Sequence, residues 1–470
     1  MSLRFVIGSA LRPVINNQAR NVSNLSVKEV FATAPQTEVT SLKNGFRVAT
    51  EDNGRETATV GVWIETGSRY ENASNNGVAH FLERLVHRGT GKRTSEALES
   101  ELSAIGAKLN STTDRDNTAV FVQSASKDVE KVVDILADVL RNSKLDASAI
   151  EAERAVLVNE LEQSDSKYQT VLFDNLHAAA FQGTGLAQSP LGTSESLKNI
   201  SAQQLKEWQE DHYRPVRMVL SAVGGGVSGV PQLAEKYFGD LSNEYPRKVP
   251  SAGGIRFTGS EYRYRNDNVP HMYAAFAVEG VPYGHKDALA LKVANQFIGQ
   301  WDVTHATSRT APSRLFQKIS HEHGLHHVQN FNINYKDTGL FGVYYVADAD
   351  DLNDTHGLIK SISREWKHLS SAADYDEVAM ARNQLRTALY QKLETNANKA
   401  AFNAKELLYT GAVRSLGDLE TQLQKIDHTA VREAVSRHVY DRDVVTAGVG
   451  KTEAFPSYAH VRAGMSWWRL

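Results

Sequence analysis

Val78-Ala79-His80-Phe81-Leu82-Glu83-Arg84-Leu85-Val86-His87-Arg88-Gly89-Thr90 is the stretch on which the reading of this chain turns. Wound as a helix, it sets Val78, Phe81, Leu82, Leu85 and Val86 on one face and His80, Glu83, Arg84 and His87 on the other. The first stripe is a core face. The second carries part of what a zinc peptidase of the inverted His-x-x-Glu-His type requires, an imidazole at His80 and a carboxylate at Glu83 to act as general base. Where the second imidazole is needed, four residues after His80, stands Arg84. A guanidinium stays protonated and has no lone pair to give a metal. His87 cannot replace it, because seven residues of helix carry it about 10 Å along the axis from His80.

A further ligand has a source downstream. The segment Ala147 to Ser164 is predicted to be a helix capped by Asp146, and its Glu153 and Glu160, seven residues apart, share a face. Around these two helices the pattern alternates. Strands are predicted at Val39 to Asn44 and Phe46 to Glu51, about an Asn44-Gly45 type I′ turn, then at Thr57 to Thr66, Lys108 to Thr112, Thr118 to Ser124 and Met218 to Val223. Helices are predicted from Ser95 (as N-cap) to Ile105, and at Asp128 to Asn142, Tyr168 to Phe181, Ser201 to His212 and Val230 to Leu241.

Past a stretch rich in Pro, Gly and charge, Asn243 to Ile255, the pattern starts again. Tyr273 to Gly280 echoes Val60 to Gly67, Tyr335 to Tyr345 echoes Thr113 to Phe121, and Val378 to Leu385 echoes Ile150 to Leu157. Tyr440, like Tyr213, precedes a Val-rich strand that ends in glycine. Four correspondences in one order imply a duplicated domain. The expected class is therefore α+β, with two tandem homologous domains, each a mixed, mainly antiparallel sheet packed with helices. The expected boundaries are 35–242 and 259–470, joined by a linker at 243–258. The segment of the second half that should match the motif helix, Asp287 to Gln300, has neither His nor Glu, so only the first half carries site residues.

Composition narrows the function. At 470 residues, 41% apolar and 23% charged, the chain is long enough for two cores and is neither fibrous nor disordered in character. A net charge of −3 gives no electrostatic reason for a nucleic-acid partner. The absence of cysteine excludes disulfides, thiolate metal sites and a Cys nucleophile. No apolar run long enough to span a bilayer occurs, so any membrane association is expected to be peripheral. Residues 1–28 lack Asp and Glu and carry Arg4, Arg12 and Arg20, the composition of a mitochondrial transit peptide.

The run Gly-x-x-His-Phe-Leu-Glu-x-x-x-x-x-Gly-Thr at Gly77 to Thr90, Glu-Arg-x-Val-Leu-x-x-Glu-Leu at Glu153 to Leu161, and the duplication together resemble the pitrilysin family of zinc peptidases. The likeness is greatest to the branch that holds the mitochondrial processing peptidase and the core proteins of the cytochrome bc complex. It implies zinc-ligand positions at His80, Arg84 and Glu160, Glu83 as the vestigial base and Glu153 as its support. With Arg84 in a ligand position, no zinc, no other cofactor and no peptide hydrolysis are expected. Arg84 is expected to take over the metal's electrostatic role through a buried bidentate pair with Glu160, and with Glu153.

The resemblance then implies a non-catalytic core subunit of the core protein I type in mitochondrial ubiquinol-cytochrome c reductase, on the matrix face of the inner membrane. Its implied partners are a similar core protein II subunit, cytochrome b, cytochrome c1 and other subunits of complex III. The enzymatic alternative is the catalytic β subunit of the processing peptidase, a zinc endopeptidase that removes transit peptides. The peptidase's α subunit would need a glycine-rich loop in the second half, and Gln300 to Ala311 has no glycine.

Other signals have plainer readings. Gly224-Gly-Gly-Val-Ser-Gly229 is a glycine-rich exit from a strand, since no βαβ unit begins there. His321-Glu-His323-Gly-Leu-His326-His327 reads as a surface or interface cluster, because strand alternation splits its imidazoles between faces. Arg314 and Tyr335 lie in places comparable to an Arg and a Tyr that bind substrate in active relatives. The tail Met465-Ser-Trp-Trp-Arg-Leu470 reads as a docking contact or as packing on its own domain.

Overall fold

The computed structural model describes residues 34–304, 311, 313–319, 324–348 and 352–467, with side chains from 355 in the last segment. The transit-peptide reading of residues 1–28, and with it His321, His323 and Trp468, lies outside the described residues.

Among these residues the strands form two six-stranded sheets. The first contains β1 (Glu38–Ser41), β2 (Arg47–Asp52), β3 (Thr57–Ile64), β4 (Lys108–Thr113), β5 (Thr118–Ala125) and β6 (Met218–Gly224), in the order β1-β2-β6-β3-β5-β4. The second contains β7 (Glu261–Arg265), β8 (Met272–Gly280), β9 (Gln300–Asp302), β10 (Leu325–Asn334), β11 (Gly339–Ala347) and β12 (Val444–Gly450), in the order β7-β12-β8-β11-β10-β9. In each sheet one pair is parallel, β2 with β6 and β7 with β12, and every other pair is antiparallel. Aligning these parallel pairs matches β12 to β6, β8 to β3, β11 to β5 and β10 to β4, which is the duplication seen from the backbone. No helix or strand falls between residues 239 and 260.

Helices of the first half are α1 (Val78–Leu85), α2 (Ser95–Ala104), α3 (Val129–Arg141), α4 (Ala147–Ser164), α5 (Tyr168–Ala180), α6 (Ser194–Asn199), α7 (Ala202–His212) and α8 (Val230–Phe238). Those of the second are α9 (Ala288–Ile298), α10 (Arg314–Ile319), α11 (Leu352–Ser371), α12 (Tyr375–Leu393), α13 (Asn396–Thr410), α14 (Leu416–Gln424), α15 (His428–His438) and α16 (Tyr458–Gly464).

Central strands such as β3 (TATVGVWI) and β6 (MVLSAVG) are nearly continuous apolar runs, so both of their faces must be covered. One face of the first sheet packs on its own helices, with Val60, Val62 and Val122 against Val132, Val133, Leu136 and Phe238. The other face is covered from the opposite half. Ala400, Ala404, Leu407 and Leu408 of α13 pack on Ala49, Trp63, Val219 and Val223. The exchange is reciprocal, since Leu172, Leu176 and Ala180 of α5 pack on Ala275, Ala277, Val445 and Ala447 of the second sheet. The alanines at these contacts let helix and sheet approach closely.

Polar contacts fix the joint. Arg69, buried, donates to Asp116 at 2.5 Å and to Asp337 at 2.7 Å, and Lys336 donates to Glu65 at 2.5 Å. Tyr335 donates its O–H to Nε2 of His177 at 2.7 Å. With Nδ1 of His177 2.6 Å from the Phe173 carbonyl, the proton sits on Nδ1 and Nε2 accepts. Burial, then the Arg115 charge, pushes that imidazole well below its ordinary pKa.

Two local readings need correction. The first hairpin has no type I′ turn, because Asn44 is not at positive φ and the strands pair only to Ser41 and Arg47. Instead Gly45 takes φ +83°, and the Asn44 amide is used elsewhere, donating to the carbonyls of Phe238, the last residue of α8, and of Leu241 beyond it. The N-cap of α2 is Thr94, not Ser95, and it accepts from the Ala97 N–H. At the glycine-rich strand exit, a Cβ on Gly224 would lie 2.4 Å from the Ala58 Cα, so this glycine serves close packing.

Candidate functional site

The motif helix is shorter than its sequence suggests. α1 ends at Leu85, a 3-10 turn covers Val86–Arg88, and Gly89 at φ +93° stops it. Its apolar stripe is buried, with Val78, Phe81 and Leu85 packed on Ile150, Leu157, Leu197 and Trp208, and of the polar stripe His80 and Glu83 are only 9% and 5% exposed. Its N-terminus is held by Glu71, which accepts from the N–H groups of Gly77 at 2.7 Å and Ala79 at 2.9 Å and from the Asn76 amide at 2.8 Å. Burial outweighs these bonds and pushes the Glu71 carboxyl up to about 7.

The crossing of α1 and α4 brings all five sequence-predicted residues together. Nδ1 of His80 lies 3.0 Å from Glu83, and its Nε2 faces Glu160 at 3.8 Å, beyond hydrogen-bond range. Burial raises the Glu83 carboxyl, but hydrogen bonds from His80, Ser111 and Thr113 prevail and hold it below the usual range.

Arg84 does not make the expected pair with Glu160. It donates a single Nε–H to Glu153 at 3.0 Å and is 37% exposed, so the buried bidentate pair with Glu160 is not formed. The reason is competition and register. Glu153 sits opposite Arg84, and its other oxygen is taken by Nε of Arg88 at 2.6 Å, whereas Glu160, two turns further along α4, faces His80. Arg88 was missed in the sequence although its place four residues after Arg84 is a same-face signal. Glu71 had no such signal, since it reaches α1 from a loop.

A catalytic zinc takes three protein donors and keeps one open position. His80 Nε2, buried and without a hydrogen-bond partner among the described residues, and the part-exposed Glu160 are two. The third place holds a cation already bound to Glu153. Glu83 is engaged by His80, so it gives no replacement. The donor set does not fit the metal. Alongside lies a cleft of about 500 Å³ lined by Arg84, His87, Arg88, Lys108, Glu99 and Glu153.

Arg314 and Tyr335 are both engaged within the chain. Tyr335 is buried in the joint against His177, and Arg314 lies 3.5 Å from the buried Glu365. In the tail, Trp467 is half exposed, with the Lys367 ammonium 4.6 Å from its ring, so it rests on its own domain.

A family model described as Insulinase (Peptidase family M16) matches residues 47–194, and one described as Peptidase M16 inactive domain matches residues 199–385. The chain belongs to peptidase family M16. Within the family it is 75% identical over 471 residues to the cytochrome b-c1 complex subunit 1, mitochondrial, of Caenorhabditis elegans, covering 100% of both chains. It is 39% identical to the mouse protein of that name over 94% of this chain and 92% of that one. To the human mitochondrial-processing peptidase subunit beta it is 36% identical over 98% of this chain and 94% of that one. A chain in a structure of complex III from Candida albicans with Inz-5 bound shares the fold, with TM-score 0.81, 24% identity, and 92% of this chain and all of that chain covered. The match to an inactive M16 domain over residues 199–385, which include α9, agrees with the sequence of that helix, ALALKVANQFI, which offers no ligand where α1 offers His80.

Proposed function

We propose that this M16 chain is subunit 1 of the mitochondrial cytochrome b-c1 complex, a non-catalytic core subunit that acts as scaffold. The observation that carries this is the 75% identity, end to end, with the nematode subunit of that name. The site agrees with it. Arg84 occupies a ligand position and is bonded to Glu153, so the motif helix is tied to α4 by ion pairs and takes up no zinc.

No helix among the described residues is long and apolar enough to cross a membrane. We place the chain on the matrix face of the inner membrane, attached through partners: a similar core protein II subunit, cytochrome b and cytochrome c1. Identity to the processing peptidase's β subunit is 36% against 75% to the nematode subunit, and the zinc donor set that such an enzyme needs is incomplete here. The test is purification from detergent-solubilised mitochondria. Co-migration with the haem-bearing subunits is expected. A soluble heterodimer whose cleavage of a presequence peptide is abolished by a chelator would overturn the reading.

A further inference from the structure

Three strands of the second sheet end side by side, and each delivers a metal-binding side chain to the same point. His271 immediately precedes β8, and Asp348 immediately follows β11. Because Met272 pairs with Ala347, these two residues continue the antiparallel ladder as neighbours. His326 comes from β10, and it arrives through an irregularity. Leu325 pairs with Ala347 and His327 with Val346, so His326 is an extra residue with no partner on β11, a β-bulge. Bulges re-aim side chains and concentrate beside functional sites. Here the bulge sends His326 to Asp348, at 3.0 Å, while His327 goes to Asp302, at 3.2 Å. The two neighbouring imidazoles diverge, as strand alternation led one to expect, but His326 gains another imidazole from a strand distant in sequence.

Nδ1 of His271 lies 2.8 Å from Asp348 Oδ1, the same oxygen that meets His326 Nε2. The two imidazole centroids are 4.3 Å apart, and one ligand atom from each of the three residues lies within 4.8 Å of the others. We propose that His271, His326 and Asp348 form a binding site for a divalent transition-metal ion of the zinc class.

Two imidazoles and one carboxylate suit Zn2+, Ni2+, Cu2+ or Fe2+ rather than Ca2+ or Mg2+, which prefer oxygen alone. Donors held about 2.0–2.1 Å from a tetrahedral zinc are roughly 3.3 Å apart, so the two N···O separations need open by only a few tenths of an ångström. The tautomer of each imidazole that carries its proton on the outer nitrogen leaves the inner lone pair free for the metal. The side chains are 33%, 36% and 39% exposed, which leaves a way in and room for water as a fourth ligand. A second trio, His285, Asp287 and His438, offers the same donors but is less suitable. The Asp287 oxygen that accepts from His438 also takes the Arg437 guanidinium at 2.5 Å, which a metal would have to expel. Among the described residues Asp348 has only imidazole partners in its ion pairs.

The full chain, stripped with a chelator and desalted, is titrated with Co2+, read by its visible absorption, and with Zn2+, read by equilibrium dialysis. Saturable binding of one ion is expected. His326→Ala and Asp348→Asn should each weaken it at least about tenfold, while His438→Ala and His80→Ala leave it unchanged. Zinc should raise the melting temperature of the wild type and not that of His326→Ala. Absence of saturable binding, or binding indifferent to His326→Ala and Asp348→Asn, overturns this site and leaves the proposed function standing. Binding lost in His80→Ala instead would place the ion at the M16 motif and overturn the zinc-free reading as well.

Discussion

Replacing Arg84 with histidine should return zinc to the motif, and its size can be worked from the site. A unit charge about 4 Å from a divalent ion costs about 8 kcal/mol at an effective dielectric of 20, twice the figure for a unit pair. Arg84 is 37% exposed, and solvent screening reduces this to about 4 kcal/mol, a factor of about a thousand in affinity. The new imidazole adds a third donor beside His80 Nε2 and Glu160. The fold should tolerate the change. Only one N–H bond to Glu153 is lost and Arg88 still pairs with that carboxylate, so the cost is about 1 kcal/mol once exposure is allowed for. Zinc content after equilibrium dialysis is the assay, with His271 and His326 both replaced by alanine so that the motif alone is read. Wild-type Arg84 in this background should hold none and Arg84→His about one zinc per chain. Equal zinc in both, or none in Arg84→His with an unchanged melting curve, would refute the argument that a guanidinium has displaced the metal.

Two further outcomes concern the fold. The Glu71 carboxyl is raised to about 7 in the folded chain from the ordinary glutamate value of 4.5. The native state therefore binds the extra proton between these values, and stability contributed by Glu71 is full at low pH and falls as pH rises from about 4.5 to 7, by about 3 kcal/mol. Glu71→Gln should flatten that slope when urea midpoints at pH 5 and pH 7.5 are compared. Leu176→Ala in α5 should cost about 2–5 kcal/mol, and hydrogen exchange should show faster opening in β12 of the other half, which α5 covers.

Much of this was legible in the sequence because it is written in local periods. The apolar stripe of α1, the shared face of Glu153 and Glu160, and the alternation of Thr57 to Thr66 each follow from a spacing of a few residues. Arg84's choice of carboxylate was not legible, since it depends on where α1 crosses α4 and on Arg88 competing for Glu153. The crossing-over of α5 and α13 also left no mark. Leu172, Leu176 and Ala180 make the same apolar stripe whichever sheet they cover. The bulge at His326 is a matter of register with β11, and its partners His271 and Asp348 are distant in sequence, so strand alternation alone placed that imidazole among surface groups.

The traded helices bear on how the chain is made. When the ribosome has finished β6, one side of the first sheet still lacks its cover, because α13 belongs to the last part of the polypeptide to emerge. A nascent first half therefore presents Trp63, Val219 and Val223 to water, or to a chaperone, until residue 410 has appeared. Once both helices have crossed, a protease cut in the segment between the sheets would leave two fragments that still travel together, each clasped by a helix of the other.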